Sequence, residues 1–297
     1  MLPSLERLGR RLPRSLVDRT LGSDGVARLR ARLLAAGDKR LDLCAAQLAH
    51  LLHLARLDVR GRVCVELGSG WVLSHALLLW LLGAERVIAT DLEAQAHPET
   101  LKVAIRKAVT SVVRDVLSPF EDHGLLRARL ERLAQLERID LAQLRAMGIE
   151  YRAPLDLARE PLGEPVDLVL SWSVLEHVPV QDAEALLQNL AKDLQPGGAM
   201  LHAIHLEDHR DSARAPFAFL APDPDFGPRQ QSERGNRIRR SGWEARCARL
   251  PGLETEVLYA WQRDPALLPA VLDPSVECRD PEDARTSHLG LCLRRPG

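Results

Sequence analysis

The feature that most constrains the fold is a change of hydrophobic period near residue 62. Before it, ARLRARLLAAGDKRLDLCAAQLAHLLHLARLDV spaces its leucines by three and four, as amphipathic helices do, with a break expected at Gly37 and Asp38. After it, residues 62–67 (RVCVEL) read as a short β-branched strand that ends in Gly68, Ser69 and Gly70. Residues 72–82 then form an apolar helical run, and residues 86–90 (RVIAT) a second strand closed by Asp91. Strand, glycine turn, helix and strand make a β-α-β unit, which requires a parallel sheet with helices laid on it.

The rest of the chain extends that pattern. Further strands are expected at 150–153 (EYRA), 166–171 (VDLVLS), 199–206 (AMLHAIHL), 254–260 and 288–293, with helices at 181–194 and 242–249 and a turn at QPGG. Residues 92–148 interrupt the alternation. Leucines at 126, 130, 133, 136 and 144 without a strand pattern indicate two or three inserted helices, ended by Gly148. Residues 207–240, rich in Pro, Asp and Arg, read as a lid loop. The expected organisation is an N-terminal helical segment, 1–60, and an α/β domain, 61–297. Its seven-stranded sheet is mostly parallel and ends in an antiparallel strand pair.

Composition narrows the partners. With 40 basic against 41 acidic residues, the net charge of −1 favours neither nucleic acid nor an anionic membrane. The most apolar run, 72–83, is broken by Ser74 and His75 and is too short to span a bilayer. MLPSLERLGRRLPRSL has no apolar core and is not expected to be a signal peptide. Five scattered cysteines without CxxC spacing point to a reducing cytoplasm, and neither a disulfide framework nor a zinc site is expected.

A glycine turn after a strand lets a ligand approach the backbone, and an acid about twenty residues on can accept ribose hydroxyls. Both features serve NAD and S-adenosylmethionine alike. Against a dinucleotide, the sixth loop position is Leu73 where Gly or Ala would be needed, and Glu66 stands two residues before the first glycine. The fourth strand runs into SWSVLEHV, and LQPGG precedes the fifth. With these pieces in order (VCVELGSG, VIATDL, Asp156, VDLVLSWSVLEHV, LQPGGAML) the chain resembles the class I S-adenosylmethionine-dependent methyltransferases, particularly those with a methyltransferase-11-like domain. The resemblance covers residues 60–95 and 149–206 well and the C-terminal strands loosely.

That resemblance implies a Rossmann-like fold and S-adenosylmethionine as cofactor. Carried over residue by residue, Glu66, Gly68 and Gly70 would line the methionine end, with Ser69 and Trp71 beside them. Asp91 would hold the ribose hydroxyls with Leu92 against the adenine, and Asp156 and Leu157 would meet the adenine edge. Ser171, Trp172 and Ser173 would floor the methyl-transfer site. The sequence departs from the family's ExGxGxG loop at Val72, which occupies the third glycine position.

The most provocative polar cluster is HAIHLEDHRD, 202–211. Three residues separate His202 from His205, which sends them to opposite faces of a strand. His205, Asp208 and His209 can converge at the carboxyl edge, and they are the candidate catalytic residues, with a histidine as base; metal binding is the lesser reading, and no metal site is assigned. His177 in LEHV reads as structural. Arg237, Arg239 and Arg240 read equally as a solvated face or as a clamp for an anionic substrate. The expected partner is a small-molecule acceptor under the inserted helices and the lid, without nucleic acid or membrane; any homodimer is expected through the inserted helices. The competing readings are an NAD(P)-dependent oxidoreductase, disfavoured by Leu73, and a non-catalytic partner protein, to which Val72 lends weight.

Overall fold

The computed structural model describes residues 14–35, 40–110, 113–120 and 124–297. The first thirteen residues and the expected break at Gly37 and Asp38 lie outside the described residues. Chain order gives α1 (Arg14–Ala35, interrupted at Gly22), α2 (Arg40–Ala55), β1 (Val63–Leu67), α3 (Ser74–Leu81) and β2 (Arg86–Thr90). The insertion follows as α4 (Pro98–Thr110), α5 (Val113–Leu117), α6 (Leu125–Ala134) and α7 (Leu141–Ala146). After it come β3 (Ile149–Arg152), β4 (Val166–Trp172), α8 (Val180–Asp193) and β5 (Leu194–His205). The chain closes with α9 (Pro228–Arg234), α10 (Arg240–Ala248), β6 (Glu254–Gln262), α11 (Pro281–Ala284) and β7 (Thr286–Arg294).

The seven strands form one sheet in the order β3-β2-β1-β4-β5-β7-β6, with β7 antiparallel to both neighbours. The sheet therefore matches the expected class: parallel strands, with a C-terminal pair joined antiparallel. The expected turn at QPGG is a bulge at the start of β5, where the pairing jumps from Val166–Leu194 to Leu168–Ala199.

Alternation along the strands divides the core. Cys64, Leu168, Leu170, Ala199 and Leu201 face α2, α3 and the insertion. Val65, Val169, Met200 and Ile204 face α8 and α10. Beyond Ser74 and His75 at its start, the helix α3 is apolar all round, and it is fully buried, as a helix between sheet and insertion must be. Leu48, Leu51 and Leu52 of α2 are buried in the same cluster, so the second N-terminal helix completes the core of the sheet.

The insertion has four helices among the described residues, one or two more than the leucine spacing indicates. Asp140 caps α7 by accepting from Gln143 N at 2.9 Å, which separates that helix from α6, and Gly148 (φ 101°) ends it as expected. No helix among the described residues is long and apolar enough to cross a membrane.

At the sheet edge, Arg86 of β2 binds Glu150 of β3 and Glu164, both at 2.5 Å, and Arg152 joins the group. Hydrogen bonds from Arg152 and Arg86 hold the Glu150 carboxyl down at about 2, against the opposing effect of burial. A depressed carboxylate stabilises the fold above its unfolded value near 4.5, and that contribution is lost as pH falls toward 2. Glu150→Gln is therefore expected to lower stability at neutral pH and to flatten the stability–pH curve between those limits. Denaturant melts across that range check this; parallel curves for the two proteins would contradict it.

Candidate functional site

The glycine loop is tied down from three directions. Gly68 N and Ser69 N both donate to Thr90 O at 2.9 Å, which pins the loop to the end of β2. Gly70 N donates to Asp91 Oδ2 at 2.7 Å, and Asp91 Oδ1 accepts from Glu93 N at 3.1 Å. Below the loop, Glu66 is 3% exposed. It accepts from His75 N at 3.2 Å and Ala76 N at 2.9 Å, at the N-terminus of α3, and the ring of His75 lies 3.2 Å away. A carboxylate there satisfies helix N–H groups that lack intrahelical partners and meets the positive end of the helix dipole.

The two glycines differ in what confines them. A Cβ on Gly68 (φ 72°) would meet Val174 Cγ2 at 2.5 Å, whereas one on Gly70 (φ 61°) would meet nothing within 4 Å. Val72, which departs from the glycine pattern, is buried in the core beneath the loop, and Leu73 takes the left-handed turn (φ 55°) that starts α3.

On the open side, Leu92 is 64% exposed next to Asp91. The Ser69 hydroxyl is buried and has no hydrogen-bond partner in the protein. Trp71 is half-buried, with the Arg30 guanidinium 5.5 Å from its ring, so α1 lies beside this loop. Thr100 Oγ1 donates to Trp71 O at 2.9 Å and ties the loop to the insertion.

Asp156 lies after β3 with its side chain 42% exposed, accepting from Ala158 N at 3.0 Å; Leu157 is buried behind it. Trp172 stacks with His75, ring centroids 6.1 Å apart, and Ser173 N donates to Ala203 O at 2.9 Å. Ser171 is different. It is fully buried and pairs with His202 Nδ1 at 2.8 Å on the far face of the sheet, so its side chain does not reach the open edge. Burial pushes the His202 imidazole down to about 4. His202 and His205 do point to opposite faces, as their spacing requires.

Beyond β5 the histidines gather. His205 stands between His209 (ring centroids 4.7 Å apart) and His288 (4.5 Å), and His177 lies 4.4 Å from His209. Two buried carboxylates join them. Glu176 Oε1 accepts from His205 N at 3.2 Å and lies 3.6 Å from His209 Nε2. Glu207 Oε2 lies 3.1 Å from His205 Nε2, and its Oε1 accepts from Arg263 at 2.6 Å. His288 is pushed down to about 4, first by burial and then by the charge of His205. An aromatic shelf of Trp261, Tyr259 and His50 continues from His288 along the same face.

Asp208 stands apart from this group. Its carboxylate binds Arg234 at 2.6 Å and Arg210 N at 2.9 Å, and so fastens the lid instead of facing the histidines. Arg237 and Arg239 likewise serve neither as a solvated face nor as a clamp. Arg237 donates to Phe219 O and Ala221 O and pairs with Asp273 at 3.0 Å. Arg239, wholly buried, donates to Leu206 O and Thr286 O, and burial pushes its guanidinium down to about 10. Arg240 pairs with Glu244. Around them Phe217, Phe219 and Leu220 form a small core of their own, so residues 207–240 are a folded cap and include α9. A cavity of about 750 Å³ lies between α4, the end of α6 and residues 136–140, but no motif residue lines it.

Sequence reasoning missed Glu176, Glu207 and His288 as members of the cluster. Glu176 and His177 lay in plain view in LEHV. His288 carries no local signal, because it arrives through its register with His205 across the β5–β7 pair.

A glycine loop that opens at the carboxyl edge of a sheet in this order is the arrangement of the class I S-adenosylmethionine-dependent methyltransferase fold. A methyltransferase domain model matches residues 45–247, over half of the chain, and the chain belongs to that family. No curated protein matches it. Among solved structures, the DhpI–SAH complex is 18% identical with TM-score 0.45, covering 91% of this chain and 94% of its own. Magnesium protoporphyrin IX methyltransferase (ChlM) of Synechocystis PCC 6803 with bound SAH is 15% identical with TM-score 0.48, covering 94% and 98%. An S-adenosylmethionine-dependent methyltransferase of Mesorhizobium loti is 17% identical with TM-score 0.45, covering 83% and 98%. These are likenesses of chain path at low identity and carry no substrate with them.

The two glycines yield a paired prediction. Gly68→Ala is expected to lower the melting temperature by several degrees, because its methyl group has no room beside Val174. Gly70→Ala is expected to cost only its backbone strain, roughly 1–2 kcal/mol, while weakening binding of S-adenosylhomocysteine at least tenfold. Thermal melts and ligand titration on both variants check this; equal effects of the two substitutions would contradict it.

Proposed function

We propose that the chain transfers a methyl group from S-adenosylmethionine to a small-molecule acceptor seated over the histidine cluster, beneath the folded cap. One observation carries the reading. The glycine loop with Asp91 and the cluster around His205 open at the same carboxyl edge of one sheet, with β1 and β4 adjacent and β5 next to them. In open α/β sheets that edge is where ligands bind.

The donor half rests on residues suited to it. Asp91 keeps a carboxylate beside the loop for ribose hydroxyls, and exposed Leu92 offers an apolar face to an adenine. The orphaned Ser69 hydroxyl and the open side of Gly70 are the features of a backbone cradle. Glu66 orients the loop through the start of α3, and Trp71, Trp172 and Ser173 border the methionine end. Asp156 and Leu157 stand where an adenine edge would pass, and Ser171 contributes through the position of its strand. S-adenosylmethionine would supply the methyl group on a sulfonium that is already a good leaving group. What remains for the protein is to align the acceptor, exclude water and handle its proton. His205 and His209 are the side chains proposed to meet the acceptor's nucleophile, while Asp208 holds the cap above them.

The two halves are tested separately. S-adenosylhomocysteine is expected to bind the wild-type protein, and Asp91→Ala to bind it about 10–100-fold more weakly, roughly 1.4–2.7 kcal/mol. Absent binding, or identical titrations for the two proteins, would sink the donor assignment. For the acceptor, methyl-labelled S-adenosylmethionine incubated with a whole-cell extract is expected to label the low-mass fraction. Label confined to protein or nucleic acid would overturn the small-molecule reading.

A further inference from the structure

The cluster beyond β5 has an unbalanced interior. Glu176 is 1% exposed, and its Oε2 has no hydrogen-bond partner. Among the described residues no lysine or arginine pairs with it, and its one ion pair is with the His209 ring at 3.6 Å. The Nε2 of His209 is likewise buried without a hydrogen-bond partner. A buried carboxylate left in that state is strongly disfavoured unless a cation compensates it, and the imidazole nitrogen beside it makes no hydrogen bond.

We propose that Glu176, His205 and His209 bind one divalent transition-metal ion. One ligand atom from each lies within 4.8 Å of the other two. In a tetrahedral site such atoms stand roughly 3.3 Å apart, so small side-chain rotations bring them onto an ion. Two imidazoles and a carboxylate suit zinc, cobalt(II) or iron(II) better than magnesium, which prefers oxygen alone. Sequence spacing assigns no metal site here, because Glu176 enters from a different element than the HLEDH segment.

A second trio, His205, Glu207 and His288, also brings its ligand atoms within that distance. Its carboxylate, however, is already satisfied by Arg263 on one oxygen and His205 on the other. The demand for a cation therefore lies on the Glu176 side, and Glu207 serves as the carboxylate that orients the His205 ring, as partners of metal-bound histidines commonly do. The ion would lie at the carboxyl edge, where an acceptor oxygen or nitrogen could complete its coordination. That role toward an acceptor rests on the proposed function; the binding of the ion does not.

The test is titration of zinc and cobalt(II) into chelator-treated full-length protein, followed by calorimetry and by the visible absorption of cobalt. The expected result is one equivalent bound, with affinity reduced at least tenfold in Glu176→Gln and His209→Ala and changed less than about threefold in His288→Ala. Circular dichroism checks folding, and His209→Asn replaces His209→Ala where the alanine variant melts early. The proposal is overturned by the lack of saturable binding at one equivalent, or by unchanged affinity in both the Glu176 and His209 variants. S-adenosylhomocysteine is titrated into the same samples: loss of donor binding with ion binding intact counts against the function and leaves this site standing.

Discussion

Glu66 is the residue on which the glycine-loop side of the molecule turns. A carboxylate at 3% exposure would be a heavy liability unless its oxygens were consumed, and they are: the first backbone N–H groups of α3 and the ring of His75 take both. One side chain at the end of β1 thereby fixes where α3 begins. The loop between them must cover a set distance in a set direction, so Gly68 lies against Val174 and Gly70 presents its N–H to Asp91. The glycines make the turn sterically allowed, but the buried acid decides where it goes.

The cap side is organised by a different device, buried arginine. Arg237 and Arg239 donate to backbone carbonyls of the cap and of the strands beneath it, and Asp208 takes Arg234. A guanidinium can satisfy several carbonyls at once in a fixed fork, which suits a segment with little regular structure of its own. The result holds the HLEDH turn over the sheet and gives His209 a fixed backbone, its N–H donating to Arg234 O at 3.0 Å.

The sheet, its order of elements and the glycine loop were legible in the sequence because each is a local pattern. A period of two becomes a period of three to four, glycines mark the turn, and an acid ends each of the first strands. The cap was read as a loop because its order is non-local: Phe217 and Phe219 pack against Leu268, Leu272 and Val276, some fifty residues on. The arginines misled for the same reason. A run of three invites an electrostatic reading, whereas two of them are buried among carbonyls that composition does not reveal. Ser171 shows the limit of carrying a role over by position, since strand alternation turns its hydroxyl to the far face and onto His202.

The histidine cluster follows from topology more than from any motif. In a purely parallel sheet, the strand beside β5 would run the same way, and residues at its carboxyl end would come from one consistent side of the chain. Here β7 enters antiparallel between β5 and β6, so the start of β7 meets the end of β5 and His288 faces His205 in register. The same reversal brings Trp261 of β6 opposite His288 and extends an aromatic shelf from the cluster. Three separate stretches, LEHV after β4, HLEDH after β5 and the first residues of β7, thus bring their rings into contact. Of the three, the HLEDH stretch alone stands out in composition, and it does not reveal its partners. The antiparallel insertion makes them one cluster, and it sets that cluster beside the strands that carry the glycine loop.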